Sequence, residues 1–190
     1  MINIILYGAP GCGKGTHSKL ISKKFIIKNI SIGEILRNNI KNKTKLGEKI
    51  KFYVQNGFLL KDSIINEIIK KELKKKNNYK YKGFLYDGYP RTINQAKYLD
   101  FLLNNKKILF FYLYVNKKII TERIIKRSKE EKRKDDNVNV LKNRIEEYEK
   151  EKKNILFFYK KKKYFFNIKS YDKKIDEINK KIENIILSNI

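Results

Sequence analysis

The sequence predicts an α/β fold of three layers, with helices on both faces of a five-stranded parallel sheet. Two observations carry that expectation. Short apolar runs alternate with stretches of helical periodicity in strand–helix order, and a glycine-rich turn, Gly8 to Gly15, joins the first such run to the first helix. In chain order, Ile2 to Tyr7 reads as a strand, and the helix after the turn runs to about Lys24 with Leu20 and Ile21 on one face. Phe25 to Ile30 makes the second strand. Ser31 to Gln55 reads as two helices split near Asn42 to Lys45, with Leu46, Ile50, Tyr53 and Val54 at helical spacing. Asp62 is an N-cap for a helix whose Ile64, Ile65, Ile68, Ile69 and Leu73 form one apolar stripe. After a loop near Asn77 to Lys82 come a strand Gly83 to Tyr86, a helix Thr92 to Leu103, a strand Ile108 to Val115 and a helix from Lys117 to about Arg127. Ser128 to Asp136 is a charged loop, Asn137 to about Tyr159 a long helix, Tyr164 to Ile168 the last strand and Ile175 to Leu187 the closing helix. Strands joined through helices pair in parallel. Residues 1–30, 61–125 and 137–190 thus form a core domain, 31–60 a helical insert and 126–136 a short excursion.

With 41% hydrophobic and 13% aromatic residues, the 190-residue chain has the content of a folded core, which excludes a wholly disordered protein. No uncharged apolar run approaches the ~20 residues that a membrane helix needs. A single cysteine, Cys12, and a single histidine, His17, exclude a disulfide framework and a Cys/His zinc site. A strand follows the initiator at once, so the expectation is a cytoplasmic chain without a cleaved leader.

The formal net charge of +26 suggests a nucleic-acid surface, but its composition points elsewhere. Only six of the 46 cationic residues are arginine. The lysines are scattered and share A/T-rich codons with the abundant asparagine and isoleucine, so they read as solvated helix faces. Arginine then becomes informative, because it marks places where a planar fork is needed for a phosphate or a base. The six are Arg37, Arg91, Arg123, Arg127, Arg133 and Arg144. The aromatic and lysine residues interleaved from Leu156 to Asn167 imitate a single-strand binder, yet their place at a helix end makes them core aromatics with a solvated turn. His17 reads as a polar residue of the first helical turn.

Gly8-Ala9-Pro10-Gly11-Cys12-Gly13-Lys14-Gly15-Thr16 lies where a phosphate loop must lie, after a strand and opening a helix. Backbone N–H groups from Gly11 through Cys12, Gly13, Lys14, Gly15 and Thr16 can close on phosphate oxygens, the helix adds its positive end, and Lys14 reaches the β and γ phosphates. The usual pattern has Ser or Thr directly after the lysine. Here Gly15 intervenes and the hydroxyl arrives at Thr16.

The GxPGxGKGT form resembles the nucleoside monophosphate kinases, and further segments are similar to the adenylate kinases among them. Ile30 to Arg37 looks like the family's LSTGDLLR, which implies that Arg37 meets the acceptor phosphate; Ile32 stands where the family usually has Thr, beside the AMP pocket, and Glu34 replaces Asp. Gly57-Phe58-Leu59-Leu60 resembles the segment whose backbone lines the acceptor base. Gly83 to Ala96 is close to GFLLDGFPRTxxQA. That match implies Asp87, with Thr16, as the holder of Mg²⁺ through water, and an AMP site made of Gly88, Tyr89, Pro90, Arg91 and Gln95, with Gln95 reading adenine's N6/N1 edge. Thr92 stands where uridylate/cytidylate kinases usually have Asn. Glu122 to Arg127 resembles ERIxxR, implying Arg123 on the donor adenine and Arg127 on donor phosphates. Arg133-Lys134-Asp135-Asp136 with Arg144 resembles the pair that closes over the transferring group, and the few residues between Arg127 and Arg133 mark a short lid over 126–136 without zinc. A backbone contact near Lys173 completes the donor side.

The resemblance thus implies a P-loop kinase that interconverts purine nucleotides by transferring phosphoryl from MgATP to AMP, with Lys14, Arg91, Arg127, Arg133 and Arg144 catalytic. Its partners are the nucleotides ATP, AMP and ADP, not a membrane or a specific nucleic acid, and the expected state is a monomer. A GTP-dependent AMP kinase and a UMP/CMP kinase stay open as alternatives. So does a basic nucleic-acid-binding protein with a vestigial phosphate loop.

Overall fold

The computed structural model describes residues 1–104, 106–116, 119–123, 138–171 and 173–190. Its sheet has five parallel strands: β1 (Ile2–Tyr7), β2 (Lys28–Ser31), β3 (Gly83–Asp87), β4 (Ile108–Tyr114) and β5 (Phe165–Lys169), in the order β2-β3-β1-β4-β5. Central β1 pairs Leu6 with Asp87 on one side and with Phe111 on the other, so the turn after β1 and the end of β3 emerge together at the carboxyl edge.

Side chains alternate across the sheet, which divides the core in two. Ile4 and Leu6 face α1 (Lys14–Phe25) and the closing helix, through Ile21, Phe25, Ile178, Ile182 and Ile186. Ile5 and Tyr7 face the other layer, which buries Leu36 of α2 (Ile32–Lys41), Ile50 of α3 (Lys45–Asn56), Ile65 and Ile69 of α4 (Asp62–Leu73), Leu99 of α5 (Ile93–Leu102) and Tyr159 of α6 (Val138–Lys160). The closing helix, α7, is Ile175–Leu187. This is the three-layer P-loop arrangement that the sequence predicts.

Three expectations need correction. Phe25 ends α1 instead of opening β2: its ring is buried in the core, Ile26 takes a left-handed conformation (φ 54°) with its N–H on Ser22 O, and the strand starts only at Lys28. Leu20 does not share Ile21's buried face but is exposed. Asp62 is the first residue of α4, not its cap; Lys61 precedes the helix, and the Asp62 carboxylate is turned toward α5. The helix expected from Lys117 is described only at 119–123, and the expected lid, 126–136, lies outside the described residues.

The helical stretch expected as an insert, 31–60, is held by local devices. Thr44 caps α3, its Oγ1 accepting from Gly47 N at 3.0 Å and donating to Asn39 Oδ1 at 2.8 Å. A Cβ at Gly47 would land on the Asn39 carbonyl, so glycine is what lets α2 and α3 cross this closely. At the end of α3, Asn56 O accepts from Asn143 of α6 at 2.8 Å, which ties α3 to α6.

Candidate active site

The turn between β1 and α1 has the shape that its glycines predict. Gly8, Gly11 and Gly13 all have positive φ, and a Cβ at Gly8 would sit 2.5 Å from Leu113 O. Cys12 is fully buried, so it brings only its backbone to the loop. Ser170, just after β5, donates from Oγ to Cys12 O at 2.8 Å and braces the loop from behind, a contact between segments too distant in the chain for local sequence to signal. Lys14 Nζ folds over the turn onto Gly8 O (2.7 Å) and Ala9 O (2.9 Å). Neutral carbonyls are modest partners for an ammonium, and an anionic phosphate at the same place is a stronger one.

Asp87 ends β3 half-buried and accepts from Ser31 Oγ at 3.2 Å. Its Oδ2 lies 3.7 Å from where a Cβ at Gly15 would be, which sets the carboxylate beside the start of α1 and exposed Thr16. Oxygen donors of this kind fit Mg²⁺, a hard ion that keeps much of its water.

Arginines gather on the side expected to take the acceptor. Arg37 lies over Gly33, Arg91 wraps back so that Nε donates to Gly88 O at 3.0 Å, and Arg144 runs past Gly57. Arg91 opens onto the cleft, yet lost hydration, and then the charges of Arg144 and Arg37, lower its pKa to about 10 against the pull of Asp87. Three guanidiniums close enough for their charges to oppose one another form a site that suits a dianion.

The other expected acceptor residues divide by side chain. Phe58 is exposed and Leu59 half-buried, whereas Leu60 points into the core and leaves only its backbone for a base. Ile32 is 2% exposed and packs with Leu36, Ile50 and Leu60, so its side chain belongs to the core and does not line the cleft. Tyr89 is buried too, its hydroxyl 2.8 Å from Asn66 Oδ1 and 3.1 Å from Gln95 O; Pro90 beside it is also buried. Gln95, 1% exposed, donates from Nε2 to Asp62 Oδ1 (2.7 Å) and accepts at Oε1 from Arg91 N (2.8 Å). Local sequence carries no signal of that partnership, because an aspartate before a helix reads as a cap.

Among the residues expected on the donor side, Arg123 lies close enough to α1 for its charge to bear on His17. His17 itself is buried behind the loop helix, its Nδ1 3.4 Å from Asn179 Oδ1 of α7; burial lowers its pKa. Lys173 is exposed in the loop that follows Ser170. Arg127 and Arg133 lie outside the described residues. Among the described residues no group of three or more His, Cys, Asp or Glu could hold a metal, and no helix is long and apolar enough to cross a membrane.

The class that this fold and phosphate loop define is the P-loop nucleoside monophosphate kinase. A family model described as adenylate kinase matches residues 6–164. The chain is 41% identical to an adenylate kinase of Azobacteroides pseudotrichonymphae over 97% of its own length and 99% of the relative's, and 34% identical to one of Parabacteroides distasonis over 78% of each. It is also 43% identical to a GTP:AMP phosphotransferase of Plasmodium falciparum, over 60% of this chain and 49% of that one. The chain belongs to the adenylate kinase family.

Proposed function

We propose that the protein catalyses the reversible transfer of the γ-phosphoryl group of MgATP to AMP, giving two ADP. The observation that carries this reading is the pairing, at one sheet edge, of a phosphate loop with a separate cluster of Arg37, Arg91 and Arg144. One anion cradle would suffice for a hydrolase; two facing cradles suit transfer between two phosphorylated substrates.

The acceptor phosphate is already ionised, so no side chain has to remove a proton. Catalysis then reduces to alignment and charge. Backbone N–H groups of the loop and Lys14 hold the donor phosphates, while Arg37, Arg91 and Arg144 hold the acceptor phosphate and spread the charge that develops. Arg127 and Arg133 join them on the family resemblance. Asp87 and Thr16 are the residues that would hold Mg²⁺, which supplies charge neutralisation on the donor phosphates. His17 takes no part, since burial keeps it neutral and its ring faces Asn179. The insert 31–60 and the short lid 126–136 exclude the water that would otherwise hydrolyse ATP. Arg123 and the backbone near Lys173 contact the donor base, and Gln95 reads the acceptor base. The family resemblance suggests a monomer, and soluble nucleotide substrates suit the cytoplasm.

The match to a GTP:AMP phosphotransferase favours one second reading, GTP as donor with the same acceptor. Purified protein assayed with ATP or GTP against AMP, CMP, UMP and GMP tests both. The expected result is fastest turnover of ATP with AMP. Faster turnover of CMP or UMP would overturn the acceptor assignment, and faster turnover with GTP the donor assignment.

A further inference from the structure

We propose that Asp62 is a positioning residue for acceptor specificity: by accepting from Gln95 Nε2 it fixes the orientation of the side-chain amide that would tell adenine from a 6-oxopurine. The inference rests on the reading of Gln95 as the group that meets the acceptor base. A glutamine amide is nearly symmetric in shape, and only its partners decide which end is oxygen. Here both partners have fixed polarity. Arg91 N–H can only donate, and it donates to Gln95 Oε1 at 2.8 Å. An ionised carboxylate can only accept, and Asp62 Oδ1 accepts from Gln95 Nε2 at 2.7 Å. Thr92 locks the arrangement, since its hydroxyl lies 3.0 Å from both Asp62 oxygens while its Oγ1 accepts from Gln95 N at 3.1 Å. Tyr89 and Asn66 hold the same turn from behind.

An amide has two N–H groups and two acceptor sites, and these bonds engage one of each. The remaining N–H and the remaining acceptor site complement adenine, whose N1 accepts and whose N6 donates. A flipped amide would complement hypoxanthine or guanine, where N1 donates and O6 accepts. Asp62 and Arg91 N–H together make that flip unfavourable. Asp62→Asn removes one of the two constraints without changing shape, because an asparagine amide can donate to the flipped oxygen.

The test is kcat/KM for AMP and for IMP at saturating ATP, in the parent protein, Asp62→Asn and Gln95→Leu, with melting temperatures measured alongside. We expect the AMP-to-IMP ratio to fall about tenfold or more in Asp62→Asn, the effect of one hydrogen bond to a charged group, while KM for ATP stays unchanged. An unchanged ratio in Asp62→Asn, with the ratio lost in Gln95→Leu, overturns the proposal and leaves Gln95 as base reader. An unchanged ratio in Gln95→Leu overturns the base-reading assignment and the proposal with it. A uniform loss for AMP, IMP and ATP marks a merely structural aspartate and also overturns it. Should Asp62→Asn melt below the assay temperature, Asp62→Ser, whose hydroxyl both donates and accepts, releases the same constraint and is read in the same way.

Discussion

Ile32 shows how one position changes meaning between a motif and a packed molecule. Beside Ser31 and Gly33 it occupies a slot where the family usually has a hydroxyl, which suggests a lost contact to AMP. In the fold it is the first residue of α2, 2% exposed among Leu36, Ile50 and Leu60. A threonine there trades buried methylenes for a hydroxyl with few partners, and burying a polar group of that kind costs about 1–3 kcal/mol. We expect Ile32→Thr to lower the melting temperature while the KM values for AMP and ATP stay together. Chemical denaturation and steady-state kinetics check it; a selective fall in the AMP KM would return Ile32 to the pocket.

At the scale of the element, the insert depends on how closely α2 and α3 approach. Gly47 has an ordinary helical conformation, so its importance lies in space and not in φ: a methyl group there meets the backbone of Asn39 and Ile40, which cannot rotate away. The two helices must separate, and overpacking of this kind costs about 1–3 kcal/mol. Arg37 rides on α2 and Phe58 follows α3, so separation should disturb the acceptor side first. We expect Gly47→Ala to raise KM for AMP more than KM for ATP, checked by varying each nucleotide in turn. Equal changes would show that the insert's packing does not bear on the acceptor.

Across the whole molecule, the buried contact between α1 and α7 makes stability depend on pH. His17 is the chain's single histidine, and burial, opposed by its bond to Asn179 and aided by the Arg123 charge, lowers its pKa from the ordinary 6.5. The folded state therefore refuses a proton that the unfolded chain accepts below that value. Stability is full above pH 6.5 and falls as the pH drops toward the lowered folded value, with a slope that one proton limits to about 1.4 kcal/mol per pH unit. Among the described residues the resolved carboxylate shifts, at Glu67 and Glu72, run downward from 4.5, away from this window. We expect the melting temperature to decline from pH 7 to pH 5, and a His17→Asn variant to show a flatter profile.

The strand–helix alternation, the phosphate loop and the Arg91 turn were legible in the sequence because each depends on neighbours in the chain: periodicity decides which face is buried, and glycines decide where backbone N–H groups can close on an anion. Asp62, Ser170 and His17 were not legible in that way. Each acts on a segment distant in sequence, Asp62 on Gln95, Ser170 on Cys12 and His17 on Asn179. Read locally, Asp62 is a helix cap and His17 a polar residue of a helical first turn. Only the packing of α4 on α5, and of α1 on α7 and β5, turns them into a clamp, a pH-sensitive contact and a brace for the loop, because a polar group withdrawn from water must take whatever partner the tertiary fold brings to it.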